Sequence, residues 1–268
     1  MLAQERLIQK VKEQAAADSR VRAVLMYGSF TQGCGDKFSD VEFYIYIEND
    51  AFTEFDREMW VAAVHPFYRF FFNEFGTQVA VFTNLVRGEF HFCTQDGMEK
   101  IATWVSMGYF PHPDAMCLFD RDGSLARHLQ VLRQPAEEGG LQESAQFVAD
   151  NLINNMVFGV NVLNRGETAR SLELLWYVQR YFLQLVRLMD GNMDHFINPT
   201  KNLEREIDEA VYENYRGMTA PLNAGSLQQA YSAALRNFSG LKDGLEQKGI
   251  VVQMPDALLN GLKGLLGE

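Results

Sequence analysis

Two acidic side chains near residue 40 have the spacing needed to share a metal ion. Asp40 and Glu42 lie in a stretch of alternating polar and apolar residues that predicts a strand over about 40–47. Residues i and i+2 of a strand point to the same face about 7 Å apart, so both carboxylates share one side. Such hard oxygen ligands suit Mg²⁺, which proteins bind through one or two carboxylates plus substrate phosphates. The pair predicts a magnesium site, although an isolated Asp-x-Glu is more often a solvated sheet face.

A small turn precedes this pair and could contact phosphate. Gly28 and Ser29 directly follow a predicted strand over about 21–27, and a short polar loop leads from them to the acidic pair. Gly28 has no side chain to obstruct a ligand, and Ser29 offers a backbone N–H and a hydroxyl to phosphate oxygens. Ser39, at the far end of the loop, is a further candidate nucleotide contact. A Gly-Ser pair alone indicates only a turn, and it is the order turn, loop, acidic strand that points to chemistry.

A second polar alternation supplies a third carboxylate. In the predicted strand over about 86–93, Arg87, Glu89, His91 and Cys93 share one face, opposite Gly88 and two phenylalanines. Glu89 is therefore the third acidic residue on a polar strand face, and its alternative role is a salt bridge with Arg87 or another cation. His91 is a candidate substrate contact, or else a half-buried, hydrogen-bonded histidine.

The predicted helices and strands around these residues divide the chain into two parts. The first half alternates helix and strand patterns, with further strands predicted at 77–83 and near 115–119, whereas the second half is helical almost throughout. This predicts an α+β fold: a mixed sheet flanked by helices in a catalytic domain, 1–135, then an all-helical C-terminal bundle domain, 141–268. The connection is predicted within 134–140, which contains a proline and paired glycines. In the helix that begins near 167, Gln184 and Arg187 are expected to lie off the buried stripe.

Charge and hydrophobicity argue against two classes of binding partner, nucleic acids and membranes. The formal net charge of -11 repels a phosphate backbone, so nucleic acid is not expected as a substrate. The three cysteines form no CxxC pair, and no apolar run approaches the roughly 20 residues that span a bilayer. Without a recognisable signal segment, these features predict a cytoplasmic protein that has no membrane partner.

Five segments together resemble a known family. They are MYGSFTQGCGDKFSDVEFYI (26–45), NEFGTQV (73–79), LVRGEFHF (85–92), RGETARSLE (165–173) and KNLE (201–204). The first has the residue order of the nucleotidyltransferase superfamily, in which a hydrophobic-Gly-Ser motif precedes an acidic-x-acidic strand. Glu42 departs from the commoner aspartate at the second acidic position. Across nearly the whole chain, the segments resemble the larger type of lincosamide nucleotidyltransferases.

This resemblance implies an activity and roles. Such enzymes transfer a nucleoside monophosphate from ATP or a related triphosphate to a hydroxyl of lincomycin or clindamycin, and a homodimer is compatible with the likeness. It implies the nucleotidyltransferase fold, Mg²⁺ bound by Asp40, Glu42 and Glu89, and Glu89 as the base. Arg170 and Lys201 become candidates for nucleotide phosphate contacts, although most surface cations have no such role. Two alternatives stay open: the same chemistry on an aminoglycoside, and an inactive nucleotidyltransferase-fold module with a binding or regulatory role.

Overall fold

The computed structural model describes residues 1–106, 110, 112–133, 140–191, 193 and 195–268. The chain forms two compact units, Met1–Pro135 and Ala136–Glu268. The connection is predicted over 134–140; residues 134–139 lie outside the described residues, and Gly140 begins a helix. The assignment of the first unit as a catalytic domain stays a prediction.

The first unit is built around six strands. Their bounds are β1 Val21–Tyr27, β2 Val41–Ile47, β3 Phe67–Phe72, β4 Gln78–Phe82, β5 Arg87–Thr94 and β6 Cys117–Asp120. Three α-helices accompany them: α1 Ala3–Ala17, α2 Arg57–Val64 and α3 Ser124–Leu129. Short 3-10 helices cover Asn49–Ala51, Gln95–Ser106, Pro113–Met116 and Gln130–Arg133.

The strands form one mixed sheet in the order β3-β4-β5-β2-β1-β6. The central pair, β2 and β5, is parallel, and the other neighbouring strands are antiparallel. A parallel pair needs a long connection, and here the chain between β2 and β5 contains α2 and the β3–β4 hairpin. The two strands predicted to carry the acidic residues are therefore direct neighbours.

Each face of the sheet has its own apolar core. On one face, α1 and α2 pack against alternate strand residues such as Phe43 and Phe90, which are both buried. On the other face, residues of the segment 95–133 pack against Leu25 and Tyr46. Tyr27 and Tyr44 lie at the margin of this second core and are only partly buried. At this margin, the face of β2 and β5 that packs on the second core becomes partly exposed and polar.

The second unit consists of six α-helices among the described residues. They are α4 Gly140–Asn164, α5 Thr168–Asp190, α6 Leu203–Glu206, α7 Glu209–Gly217, α8 Ala224–Gln247 and α9 Asp256–Leu266. Gly166, with φ +84°, lies between α4 and α5, as the sequence predicts for a helix stop. Buried residues of α4, α5, α8 and α9 form one continuous core.

The predicted fold class is confirmed: a mixed sheet with flanking helices is followed by a helical C-terminal part. Strand β3 was not predicted, because its six residues are almost all aromatic and show no polar alternation. The expectation for Gln184 and Arg187 is wrong, since both are buried and Arg187 is fully enclosed. Among the described residues, no helix combines the length and the apolarity needed to cross a membrane.

Candidate active site

The predicted acidic pair lies where β2 begins. Asp40 directly precedes the strand, and Glu42 is its second residue. Between them, Val41 is buried in the core with α1 and α2, as is Phe43 beyond them. The apolar side chains thus anchor this strand end, and Asp40 and Glu42 remain partly exposed.

Glu89 lies directly beside Glu42. The parallel register pairs Glu42 with Glu89, and Tyr44 with His91 one step further along the same face. Neighbouring strands lie about 4.8 Å apart, so two carboxylates in register repel one another unless a cation lies close by. The structure therefore brings together on adjacent strands the two glutamates that the sequence places 47 residues apart.

Gly28 forms part of the same cluster. Its φ of +83° is in the left-handed region, and a Cβ at this position would lie 1.9 Å from Oε2 of Glu42. Tyr27, the last residue of β1, pairs in register with Glu42. The Gly-Ser turn therefore packs its backbone against the Glu42 carboxylate, and only glycine leaves room for this approach.

A guanidinium lies between the other two carboxylates. Arg87 donates from Nη1 to Oδ2 of Asp40 at 2.8 Å and from Nη2 to Oε1 of Glu89. Burial lowers the pKa of Arg87, but the hydrogen bond to Glu89 and the charges of Glu89 and Asp40 outweigh it and raise that pKa. The salt bridge that the sequence offers as an alternative for Glu89 is thus present, and it also includes Asp40.

Tyr27 and His91 hold the other side of Glu89. The Tyr27 hydroxyl donates to Oε2 of Glu89 at 3.3 Å, and Nε2 of His91 lies 3.0 Å from the same hydroxyl. Because the phenol has one proton, His91 must donate through Nε2. The His91 ring also stacks on Tyr44, with centroids 4.2 Å apart and planes 9° apart. Burial lowers the pKa of His91 and so favours the neutral imidazole, here with its proton on Nε2.

The loop between β1 and β2 is organised by its own hydrogen bonds. The Ser29 carbonyl accepts from the backbone N–H groups of Gln32 and Cys34, at 3.2 and 3.0 Å. Ser39 lies at the other end, where its hydroxyl is hydrogen-bonded to Asp36 and its carbonyl accepts from Nε2 of Gln4 at 2.9 Å. Ser29 thus adjoins the acidic cluster through Gly28, and Ser39 adjoins it through Asp40; their phosphate contacts stay a prediction.

Carboxylate chemistry fits a divalent cation here. Among the residues that the structure describes, no three His, Cys, Asp or Glu side chains are arranged as a metal site. Two carboxylates with a nucleotide suffice for Mg²⁺. Because Gly28 has no Cβ, the Glu42 carboxylate lies directly against the backbone of the turn. Binding to Asp40 and Glu89 together requires the Arg87 guanidinium to move. The magnesium prediction stays a prediction on this basis.

The two predicted phosphate cations lie in the second unit. The guanidinium of Arg170, in α5, lies 5.1 Å from the centre of the Phe158 ring. The backbone N–H of Lys201 donates to the Asn198 carbonyl at 2.9 Å, and its own carbonyl accepts from buried Arg187 at 2.8 Å. Arg187 also pairs with Glu206 at 2.6 Å. The Lys201 backbone is thus fixed from within its own unit.

Sequence reasoning missed three participants in the first unit. Tyr27 and Tyr44 were not considered for the site, and Arg87 was considered only as a partner of Glu89. Strand alternation could have identified both tyrosines, because Tyr44 is two residues beyond Glu42 and Tyr27 ends the strand before the turn. The contact from Arg87 to Asp40 depends on the parallel pairing of β2 and β5, which no local pattern reveals.

Comparison with known proteins gives one family match. Residues 141–264 match the family described as lincosamide nucleotidyltransferase-like, C-terminal domain. Two solved structures are similar at 13% identity. An aminoglycoside 6-adenyltransferase from Bacillus subtilis has a TM-score of 0.45, covering 99% of this chain and 98% of that one. A nucleotidyltransferase-like protein from Exiguobacterium sibiricum 255-15 has a TM-score of 0.41, covering 98% and 88%. No curated protein matches.

Proposed function

We propose that the chain is an antibiotic-resistance nucleotidyltransferase, because residues 141–264 match the lincosamide nucleotidyltransferase-like C-terminal domain. It transfers a nucleoside monophosphate from ATP or another nucleoside triphosphate to a hydroxyl of lincomycin or clindamycin, and releases pyrophosphate. The proposal makes Asp40, Glu42 and Glu89 the catalytic acidic residues and Mg²⁺ the cofactor.

One observation carries the catalytic part of the proposal. Glu42 and Glu89 are register partners on adjacent parallel strands, and the Gly28 backbone lies against the Glu42 carboxylate. Two glutamates in register on adjacent strands, beside a glycine turn, are costly to maintain on an ordinary sheet surface. It is useful where a cation and the phosphates of a nucleotide must meet.

The roles follow from the positions. Asp40 and Glu42 hold the divalent cation, which neutralises charge on the triphosphate when it is bound. Glu89 takes the proton from the substrate hydroxyl, and the resulting oxygen attacks the α-phosphorus as the bond to pyrophosphate breaks. Tyr27 fixes the Glu89 carboxylate through Oε2. Gly28 and Ser29 orient the phosphates beside this base, so positioning and charge neutralisation account for most of the rate.

Lincosamide is preferred over aminoglycoside because the family match concerns the lincosamide nucleotidyltransferase-like domain. Within that proposal, Arg170 and Lys201 contact the nucleotide phosphates and His91 contacts the substrate. The chain acts on a small molecule rather than a nucleic acid, in agreement with its net charge of -11.

Mass spectrometry tests the proposal directly. The protein is incubated with magnesium, each of the four ribonucleoside triphosphates, and either lincomycin, clindamycin or kanamycin. We expect a lincosamide that is heavier by one nucleotidyl group, with stoichiometric pyrophosphate, and no product when EDTA replaces magnesium. A kanamycin adduct alone would shift the function to aminoglycosides. No adduct and no pyrophosphate with any antibiotic would favour a binding module.

Asp40→Asn is the matched control for this experiment. Asp40 forms a half-exposed ion pair with Arg87, and such pairs contribute about 0–1 kcal/mol to stability. The variant should therefore stay folded, as judged by its thermal unfolding, but lose turnover. Pyrophosphate release near the wild-type rate would contradict the role given to Asp40.

A further inference from the structure

We propose that Arg87 is an internal cation of the acidic cluster, which holds Asp40 and Glu89 together until a divalent cation displaces it. This inference rests on the proposed function, because it concerns the same carboxylates. It adds a competition between a side chain of the protein and the metal ion.

The geometry gives Arg87 two partners at once. The parallel register pairs Val41 with Gly88, so Asp40 and Arg87 each lie one residue before that pair. Arg87 and Glu89 are two residues apart on one strand face. A guanidinium has a planar fork of donors that can serve two carboxylates together, and Arg87 uses one nitrogen for each.

The exchange requires little rearrangement. The Arg87 side chain is 42% exposed, and that of Asp40 is 38% exposed. An ion pair with this much solvent access is weak, so an incoming divalent cation can separate Arg87 from Asp40. The Glu89 side chain is only 16% exposed, so its pair with Arg87 is the stronger of the two. Gly88 and Phe90 remain packed in the opposite core while the Arg87 side chain swings into solvent.

Departure of Arg87 would change what Glu89 can do. In the structure Arg87 occupies Oε1 of Glu89, and Tyr27 occupies Oε2. Once Arg87 leaves, Oε1 of Glu89 becomes accessible to the substrate hydroxyl, and Tyr27 continues to orient the carboxylate through Oε2. Arrival of the cation would thereby release the proton-accepting oxygen and free a guanidinium next to the triphosphate. The base is exposed only when the cation is present.

Mn²⁺ binding without nucleotide or antibiotic tests the competition, with free Mn²⁺ followed by electron paramagnetic resonance. Arg87→Gln should bind Mn²⁺ about tenfold more tightly than wild type, because one half-exposed ion pair and one more buried ion pair no longer have to be broken. The matched control is Arg20→Gln. Arg20 forms a two-bond pair with Asp18 near the opposite end of β1, and its loss should leave Mn²⁺ affinity unchanged.

Arg87→Lys separates bridging from net charge. Lysine keeps the positive charge but lacks the fork that serves both carboxylates, so its affinity should lie between those of wild type and Arg87→Gln. If Arg87→Lys binds like wild type while Arg87→Gln binds more tightly, charge alone explains the effect and the inference is overturned.

Unfolding provides a second readout that needs no turnover. In EDTA, Arg87→Gln should melt below wild type because Asp40 and Glu89 lose their shared counter-ion, and saturating Mn²⁺ should remove that difference. The melting temperature of Arg20→Gln should differ from that of wild type by the same amount in EDTA and in Mn²⁺. Equal Mn²⁺ affinity of wild type and Arg87→Gln would overturn the inference and leave the proposed function intact. Failure of every variant to bind Mn²⁺ would overturn both the inference and the cation site.

Discussion

Gly28→Ala should disturb the site through one steric clash, between the new Cβ and the Glu42 carboxylate, whose distance the structure gives. The new Cβ would lie 1.9 Å from Oε2 and 3.1 Å from Cδ of Glu42, whereas real Cβ contacts below 3.0 Å are essentially unknown. The Glu42 oxygen must therefore retreat by roughly 1 Å, a displacement that can cost about 100-fold in rate when it affects a catalytic group. We expect turnover to fall by about that factor.

Gly33→Ala is the matched control in the same loop. Gly33 also has a positive φ, +73°, but its added Cβ would meet nothing within 4 Å. Both variants should lose about 1–2 kcal/mol of unfolding free energy, because a left-handed backbone disfavours any Cβ. Only Gly28→Ala should also lose the rate, so the comparison separates backbone strain from displacement of Glu42.

The assay combines urea unfolding with pyrophosphate release at saturating nucleotide. Gly33→Ala should retain a turnover close to wild type despite its lower stability. Equal turnover of the two variants would refute the reasoning, because it would mean that the Glu42 carboxylate can move by about 1 Å without consequence.

Three further outcomes are expected. Glu89→Gln should bind triphosphate normally in equilibrium dialysis but lose at least about 100-fold in turnover, and an unchanged rate would remove its role as the base. Arg187→Met should lower the free energy of urea unfolding by about 3 kcal/mol, because this fully buried guanidinium donates hydrogen bonds to one carboxylate and two carbonyls. A loss below about 1 kcal/mol would contradict the structural importance of these hydrogen bonds. Gly159→Ala should lower the free energy of unfolding by about 1–3 kcal/mol, because its Cβ would lie 1.9 Å from the Tyr231 hydroxyl. Gly240→Ala, whose Cβ would meet nothing within 4 Å, should leave stability unchanged or raise it. Similar melting temperatures for the two variants would contradict this packing argument.

Local patterns predicted much of the fold and the face on which the acids lie. The spacing of Asp40 and Glu42 and the alternation around Glu89 each indicated a polar strand face, and both strands are present. Helices α4 and α5 followed from apolar periodicity with a glycine between them. These features depend on residues within a few positions of one another, so periodicity and turn chemistry reveal them.

Other features escaped because they depend on pairing between distant segments. Strand β3 carries no alternation, and it is a strand because it pairs with β4. Arg187 has the charge of a surface residue, and its burial depends on Glu206 and the carbonyls of a loop that follows α5. A polar group enters a core when partners surround it, and those partners are set by tertiary packing.

The candidate catalytic residues, and the strand face on which each lies, follow from residue order because side-chain direction alternates with a period of two. In contrast, the three-dimensional fold establishes that β2 and β5 run parallel, in a register that places Glu42 beside Glu89 and Asp40 within reach of Arg87. Register depends on hydrogen bonds and core packing between segments that lie far apart in the chain. Residue order alone specified the carboxylates, and strand pairing determined that a guanidinium and a tyrosine share Glu89.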